Sequence, residues 1–369
     1  MTESKCKIGS FIILVDERNM KGYDYPVLGI NKDKTFMPTA ANMAGIDTSK
    51  YKIVRKGTFV FSGMQTGRDV CIRIGLYNED MPALVSPAYT TFRLDTEKGI
   101  VLEFFFLNFN REESDRYGAF ISDSSVRANL DWNRFLEIEI PLPSLAEQQK
   151  VVNAWKALRE IKEQNEEIAA PLMQVCQSYI QELKHKYECV EIGPYIIRFD
   201  DRNADNKIKI VKSVSVTKEF NDTNAKVDKS NLRSYKIVCP NQISFVQTTG
   251  NEKCLCAAIN HFGYPIVVTS VNEVFETNQD ILNPDYLHMW FRRKELDRYA
   301  RFHSWGSARE TFTWEDMKRV RIPLPPLSVQ QAIVNIYNCA NEAKKIAAEA
   351  DRMSREVCPA LIQHVINNN

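Results

Sequence analysis

The chain has no long hydrophobic run. Among its 369 residues, no apolar stretch approaches the roughly 20 that a membrane-spanning helix needs, and the polar start Met1 to Lys7 has no secretory core behind it. Membrane spanning is excluded and a cytoplasmic location is expected. The 9 cysteines are scattered without a CxxC pair, and Cys254-Leu255-Cys256 is too tight for ordinary zinc spacing. They read as reduced thiols, with no metal site. A net charge of +1 gives no bulk electrostatic sign of a nucleic-acid partner.

Chemistry-bearing motifs are missing too. His185, His261, His288, His303 and His364 fall in no HExxH or Ser-His-Asp order. No GxxxxGK(S/T) phosphate loop occurs, so the chain is not expected to hydrolyse ATP. Carboxylates are abundant but unclustered. The run NPDY (Asn283 to Tyr286) is one letter from the NPPY loop of amino-methyltransferases, yet it lacks the second proline, and no FxGxG cofactor loop is present. No catalytic residue is expected.

What the chain does have is a repeat. IPLPSLAEQQ (Ile140 to Gln149) returns as IPLPPLSVQQ (Ile322 to Gln331). In the same order, IGSFIILVDERN (Ile8 to Asn19) answers IGPYIIRFDDRN (Ile192 to Asn203), and YKIV at Tyr51 answers YKIV at Tyr235. DRY at Asp115 answers DRY at Asp297, and Trp132 answers Trp314. A repeat of domain length means two similar domains rather than a solenoid. A chain of this length with 44% hydrophobic residues can give each a core.

Each copy mixes short β-branched or aromatic runs with turn residues. KGTFVFSG (Lys56 to Gly63) and NQISFVQTTG (Asn241 to Gly250) read as strands ending in exposed loops. MPALVSPAYTTFRL (Met81 to Leu94) and GYPIVVTSVNEVFE (Gly263 to Glu276) read as paired strand segments. A helix is expected over Asn283 to Phe302, with Pro284 at its start. The fold class is α/β, mixed α+β.

After each IPLP, prolines at 141, 143, 323, 325 and 326 favour an extended segment, and the Gly-poor runs that follow favour two long helices. The first carries a coiled-coil-like stripe of Val151, Trp155, Leu158, Ile168, Leu172, Val175 and Tyr179. The second carries Ile333, Tyr337, Ala340, Ala347, Ala350, Val357, Leu361 and Val365. The two helices are expected to pack as an antiparallel pair, with a kink or break near Pro171 and Pro359. The resulting layout is a pseudo-twofold repeat: globular domains at 1–143 and 188–325, and spacer helices at 144–187 and 326–369. A helix over 144–187 would be about 65 Å long at roughly 1.5 Å per residue.

This arrangement resembles the DNA specificity (S) subunits of type I restriction-modification systems. The likeness covers essentially the whole chain. It rests on two IPLPxLxxQ motifs, each followed by a long helix and preceded by a Trp-containing SxRxx(L/F) segment: SVRANLDW (Ser125 to Trp132) and SARETFTW (Ser307 to Trp314). Pro284, Tyr286 and Leu287 match the family's PxYL-like helix opening. The copies depart from each other at Ser124, where the second has Gly306. The resemblance implies a non-catalytic reader with two target recognition domains, each taking half of a bipartite, asymmetric site on double-stranded DNA. It further implies partners: two methyltransferase (modification) subunits carrying S-adenosylmethionine, and restriction subunits using ATP and Mg. No cofactor is expected on this chain itself. On this reading the helices act as a ruler between half-sites, since DNA advances about 34 Å per turn.

Base readout needs Arg, Lys, Asn, Gln or hydroxyl side chains on exposed loops. The candidates in the first copy are Gln65, Thr66, Arg68, Arg73, Arg127 and Asn129. In the second copy they are Gln247, Thr248, Thr249, Asn251, Lys253, Ser307 and Arg309. Arg127 and Arg309 have a second reading, as ties from loop to domain through Asp115 and Asp297. The basic run from Trp290 to Glu310 is equally readable as a solvated helix face. Two further functions stay open: the specificity subunit of a type II enzyme with a bipartite site, and a coiled-coil scaffold that does not touch DNA.

Overall fold

The computed structural model describes residues 5–39, 41–43, 45–123, 125–223, 226–248, 254–305 and 310–367, except the side chains of 357–359 and 363–367. Packing divides the chain into two compact units, Met1–Gln164 with Ile346–Asn369, and Asn165–Lys345. Each unit therefore contains one globular copy and a piece of each long helix.

In the first unit, Thr58–Ser62 (TFVFS) is buried along its whole length and lies inside a four-stranded antiparallel sheet. The order is Ile12–Leu14, Thr90–Leu94, Thr58–Ser62, Arg73–Tyr77. Phe59 opposes Phe92 in the register, and their rings stack at 5.1 Å. The helix Leu102–Phe109 lays Phe105 edge-on against Phe59, so the sheet and helix share one aromatic core. A second sheet joins Phe36–Pro38, Val27–Ile30, Ala83–Val85 and Lys52–Val54.

The second unit repeats the main sheet strand for strand: Ile196–Phe199, Asn272–Thr277, Ile243–Val246, Ala257–Ile259. Its outer strands form two separate pairs, Lys212–Val214 with Phe220–Asp222 and Lys236–Val238 with Ile266–Val268. The expected mixture of α and β is observed.

Three local expectations need correction. Consecutive strands such as Ala83–Val85 and Thr90–Leu94 do not pair with each other; they enter different sheets, because Ala83 and Val85 pack in one core and Phe92 and Leu94 in another. The helix expected over Asn283 to Phe302 is two, Pro284–Phe291 and Lys294–Phe302, with Arg293 extended between them at ψ 140°. That turn lets Phe291 and Leu296, five positions apart and on different sides of a continuous helix, both reach the core. Neither long helix breaks at its proline: Leu145–Lys186 runs through Pro171, and Leu327–Asn367 runs through Pro359.

Both IPLP runs begin as strands. Glu139–Pro141 pairs with Lys5–Lys7, and Arg321–Pro323 pairs with Cys189–Glu191, two-stranded ribbons in which proline's missing N–H is harmless. The first glutamine of each Gln-Gln then locks the junction. Gln148 Nε2 donates to the carbonyls of Gly99 and Pro143 at 2.9 Å each, and its Oε1 accepts from Val101 N at 2.9 Å. Gln330 does the same with Ile281 and Pro325 at 2.8 Å each and Asn283 N at 2.9 Å. Both side chains are fully buried. Gln149 and Gln331 instead donate along the helix surface to Asn153 and Asn335.

Within the first unit the helix pieces run antiparallel. Lys162 bonds Asp351 at 3.0 Å, while Val151 and Ile362, further out on each piece, share one core. The expected stripe on the first helix is right for Val151 and partly right for Trp155, Leu158 and Leu172, but Ile168, Val175 and Tyr179 are exposed. The buried line runs one position later through Ala169, Cys176 and Ile180 and on to Leu183, the last two joining the core of the second globular copy. On the second helix Ile333, Ala340, Ala347 and Ala350 are buried, and Tyr337 and Leu361 are partly so. The side chains of Val357 and Val365 lie outside the described residues.

Candidate nucleic-acid interface

In the first unit the strand Thr58–Ser62 leads into Gly63, Met64 and Gln65, then a one-turn helix Thr66–Asp69. A second loop, 121–131, packs on this segment. Leu130 N donates to the Gly63 carbonyl at 2.8 Å, Gly67 N to the Ala128 carbonyl at 2.9 Å, and Gln65 N to Asn129 Oδ1 at 3.1 Å. The approach is close enough that a Cβ at Gly63 would lie 2.0 Å from the Leu130 oxygen. Gln65, Val70 and Ala128 all have positive φ, and Val70 is β-branched. Such backbone persists only where surrounding contacts over-determine it, and it concentrates at functional loops.

Charge gathers on the same surface. Asp69 pairs with Lys32 at 3.5 Å, Arg68 at 3.4 Å, and with Arg73. Burial would raise its carboxyl, but Lys32, Arg73 and Arg68 outweigh that and hold it below the usual range. Three cations on one carboxylate leave the surface positive. The side chains of Lys32 and Arg68 are 62% and 58% exposed, and Arg127 is exposed with no ion pair or hydrogen bond among the described residues.

The sequence-named residues of the first copy thus come together but divide by role. Arg68 and Arg127 project to solvent. Thr66 is buried, its hydroxyl donating to the Gly63 carbonyl. Asn129 holds Gln65 N, Gln65 Oε1 accepts from Arg68, and Arg73 is committed to Asp69. The tie between Arg127 and Asp115 is not formed: Asp115 accepts from Lys34 Nζ at 2.7 Å and Ile72 N at 2.8 Å.

In the second copy, Phe312 N donates to the Gln247 carbonyl as Leu130 N does to Gly63, so Gln247 occupies the place of Gly63 rather than Gln65. Its side chain donates to Glu273, a buried carboxylate also held by Arg198 at 2.7 and 2.8 Å and Lys236 at 3.3 Å. Thr248 bridges Thr311. Thr249, Asn251, Lys253, Ser307 and Arg309, like Ser124 and Gly306, lie outside the described residues. Asp297, the suggested tie for Arg309, accepts from Lys218 Nζ at 2.6 Å and Leu255 N at 3.1 Å.

Sequence reasoning missed Lys32, the two buried lysines, and a pair of exposed aromatics, Phe120 and Phe302, 84% and 81% exposed at the same point of each copy. The lysines had a signal: DKTF at 33–36 and TKEF at 217–220 recur at the repeat offset. NPDY proves structural. Asn283 caps its helix by accepting from Asp285 N and Tyr286 N, and Tyr286 is fully buried with its hydroxyl on the Pro323 carbonyl. Among the described residues no group of three His, Cys, Asp or Glu could hold a metal ion, and no helix is long and apolar enough to cross a membrane.

Residues 6–170 match the type I restriction modification DNA specificity domain. That segment belongs to the family. The remainder of the chain is a second copy on the same frame. A crystal structure of a type I restriction-modification system S subunit from M. genitalium shares the fold, with a TM-score of 0.66 at 10% identity over 99% of this chain and 96% of that one. An HsdS subunit from Thermoanaerobacter tengcongensis aligns over 98% of this chain and 96% of its own at 16% identity, with a TM-score of 0.40. No curated protein matches this chain in sequence.

Proposed function

We propose that this chain is the sequence reader of a type I restriction-modification complex. Each globular copy takes one half of a bipartite, asymmetric DNA site, and the long helices serve as spacer and as the seat of two methyltransferase subunits, with restriction subunits joining that core. The domain scheme 1–143, 144–187, 188–325 and 326–369 goes with this reading. The chain supplies no catalytic group; S-adenosylmethionine, ATP and Mg belong to the partners.

One observation carries the reading. The same frame is built twice, pinned by the same buried glutamine and the same buried lysine–aspartate pair, yet the loops on it differ: Gly63 and Thr66 in one copy, Gln247 tied to Glu273 in the other. A constant frame with divergent loops suits two readers of different half-sites. In the first copy Arg68 and Arg127 are the base-reading candidates, with Lys32 as a phosphate contact. Near-neutral net charge is compatible with this, because partner subunits can add phosphate contacts. Docking on the helices is supported by apolar side chains left in solvent at heptad spacing: Ile161, Ile168 and Val175 on the first, Ile346 and Met353 on the second.

The test is exchange of residues 1–140 for the matching segment of another family member. Mapping methylated adenines in cells carrying the hybrid should show one half-site changed and the other kept. Change in both halves together, or no DNA protection by any reconstituted complex, would overturn the reading.

A further inference from the structure

The second unit contains a cavity of about 270 Å³. It opens between the last turn of Leu145–Lys186, the turn joining Pro284–Phe291 to Lys294–Phe302, and the strand Arg321–Pro323. Its walls are apolar, built from Trp290, Leu296, Tyr299, Val320 and Ile322, while Lys184, Arg293, Arg319 and Arg321 line it against one carboxylate, Glu295.

Some of that charge is already used. Arg293 pairs with Glu295, Arg321 donates to the Cys189 carbonyl, and Glu191 faces Arg321 across the strand pair. The rest is not. Lys184 and Arg319 are exposed; neither side chain forms a close ion pair among the described residues, although Arg293, joined by the Lys184 charge, holds Glu295 below its usual range. Lys184 lies 5.7 Å and Arg293 4.9 Å from the centre of the Trp290 ring. The buried Nη1 of Arg293 has no protein acceptor. An apolar floor with four cations against one carboxylate selects an occupant that is both apolar and acidic.

The fold does not require this site. At the matching positions the first copy has Asn108 for Trp290, Ser114 for Leu296, Glu137 for Arg319 and Glu139 for Arg321. There Glu137 is bonded by Lys7. The first copy keeps Arg111, Glu113 and Tyr117 at the places of Arg293, Glu295 and Tyr299, so the same frame stands without the indole and without the cations of positions 319 and 321.

We propose that this cavity docks an acidic segment of a partner protein, an aliphatic or aromatic side chain entering between Trp290 and Ile322 while flanking carboxylates meet Lys184 and Arg319. Because the first copy lacks the site, each chain takes one such partner. This differs in stoichiometry from the two methyltransferase subunits proposed above and does not depend on them.

The probe is a set of fluorescein-labelled octapeptides, Asp-Glu-Asp-X-Asp-Glu-Gly-Gly, with X as Phe, Leu, Trp or Gly, titrated against the full chain by fluorescence anisotropy. The expected result is saturable binding of one peptide per chain for Phe, Leu or Trp, at least tenfold weaker for Gly. Binding should also be at least tenfold weaker in the double variant Lys184→Glu with Arg319→Glu. Both side chains are exposed, and glutamate already stands at the position matching Arg319 in the first copy, so an unchanged melting curve verifies the fold. The proposal is overturned by absence of saturation at about 1 mM, by two sites per chain, or by unchanged affinity in the folded variant. Displacement of the peptide by an oligothymidylate that loses affinity in the same variant would assign the cavity to nucleic acid and overturn it equally. If the peptide binds as expected while domain exchange leaves both half-sites unchanged, only the DNA-reading proposal falls.

Discussion

Lys218 Nζ lies 2.6 Å from Asp297 Oδ1, and the same oxygen accepts from Leu255 N at 3.1 Å. The lysine is almost fully buried at φ 63° and also donates to the Phe291 carbonyl. One carboxylate thus fastens a hairpin, a helix and the strand-side end of the segment that follows Gln247. In the first copy Lys34 (φ 61°), Asp115 and Ile72 N make the equivalent clamp.

Lys218→Met should therefore cost about 3 kcal/mol, the low end for breaking a buried pair, because Asp297 keeps 22% of its side chain in solvent. Denaturant unfolding of the full chain measures this. The assembled complex should lose discrimination at one half-site only, and Lys34→Met should do so at the other; equal loss at both would count against two independent clamps.

Gln330→Ala removes one acceptor and two donor bonds from a fully buried junction and leaves three backbone groups without partners. A loss of about 2–4 kcal/mol is expected, with a similar loss for Gln148→Ala. Gln149→Ala, on the exposed helix face, should stay within about 0.5 kcal/mol, and Gln331→Ala, which also loses the acceptor of Asn283 Nδ2 at 2.8 Å, should cost about 1 kcal/mol. Chemical denaturation of the four variants separates the motif's two glutamines.

His288 is buried, and that burial, with the Arg292 charge behind it, lowers its imidazole to about 4, while the carbonyls of Lys218 and Ala257 pull the other way. The unfolded chain takes the proton near pH 6.5. Stability from the neutral ring is then fully present above about pH 6.5 and falls, by about 3 kcal/mol in all, as pH drops towards 4. His288→Phe, which places the residue found at Phe106 of the first copy, should show a shallower decline over that window. Parallel curves for the two proteins would refute the assignment.

Arg127→Ala should leave thermal stability unchanged, since the side chain makes no ion pair or hydrogen bond among the described residues and Asp115 is already held by Lys34. Loss of a bidentate contact to guanine would weaken the cognate site by about 1–3 kcal/mol and relax one position. Lys32→Ala should weaken all sequences alike and lower the salt dependence by about one charge. Titration of the assembled complex against cognate, single-base-variant and random DNA distinguishes these outcomes; full wild-type discrimination by Arg127→Ala removes it from the readers.

The sequence by itself determined the repeat, the extended IPLP entries, the long Gly-poor helices and the two inner strands of each main sheet, because these follow from local periodicity and proline chemistry. It also named Arg68 and Arg127 as exposed loop residues. Tertiary structure decided what those patterns could not hold. Ile168, Val175 and Tyr179 read as a core stripe, but Ala169, Cys176 and Ile180 are the buried residues, Ile180 because the core of the second globular copy reaches that side of the helix. Gln247 read as an exposed reader, yet Glu273, 26 residues away, claims its amide. Asp115 and Asp297 read as partners for arginines, and buried lysines 81 and 79 residues away reach them first. Each reversal is a pairing between segments distant in sequence, where burial makes an unpaired charge or amide costly and so fixes its partner only once the chain is folded.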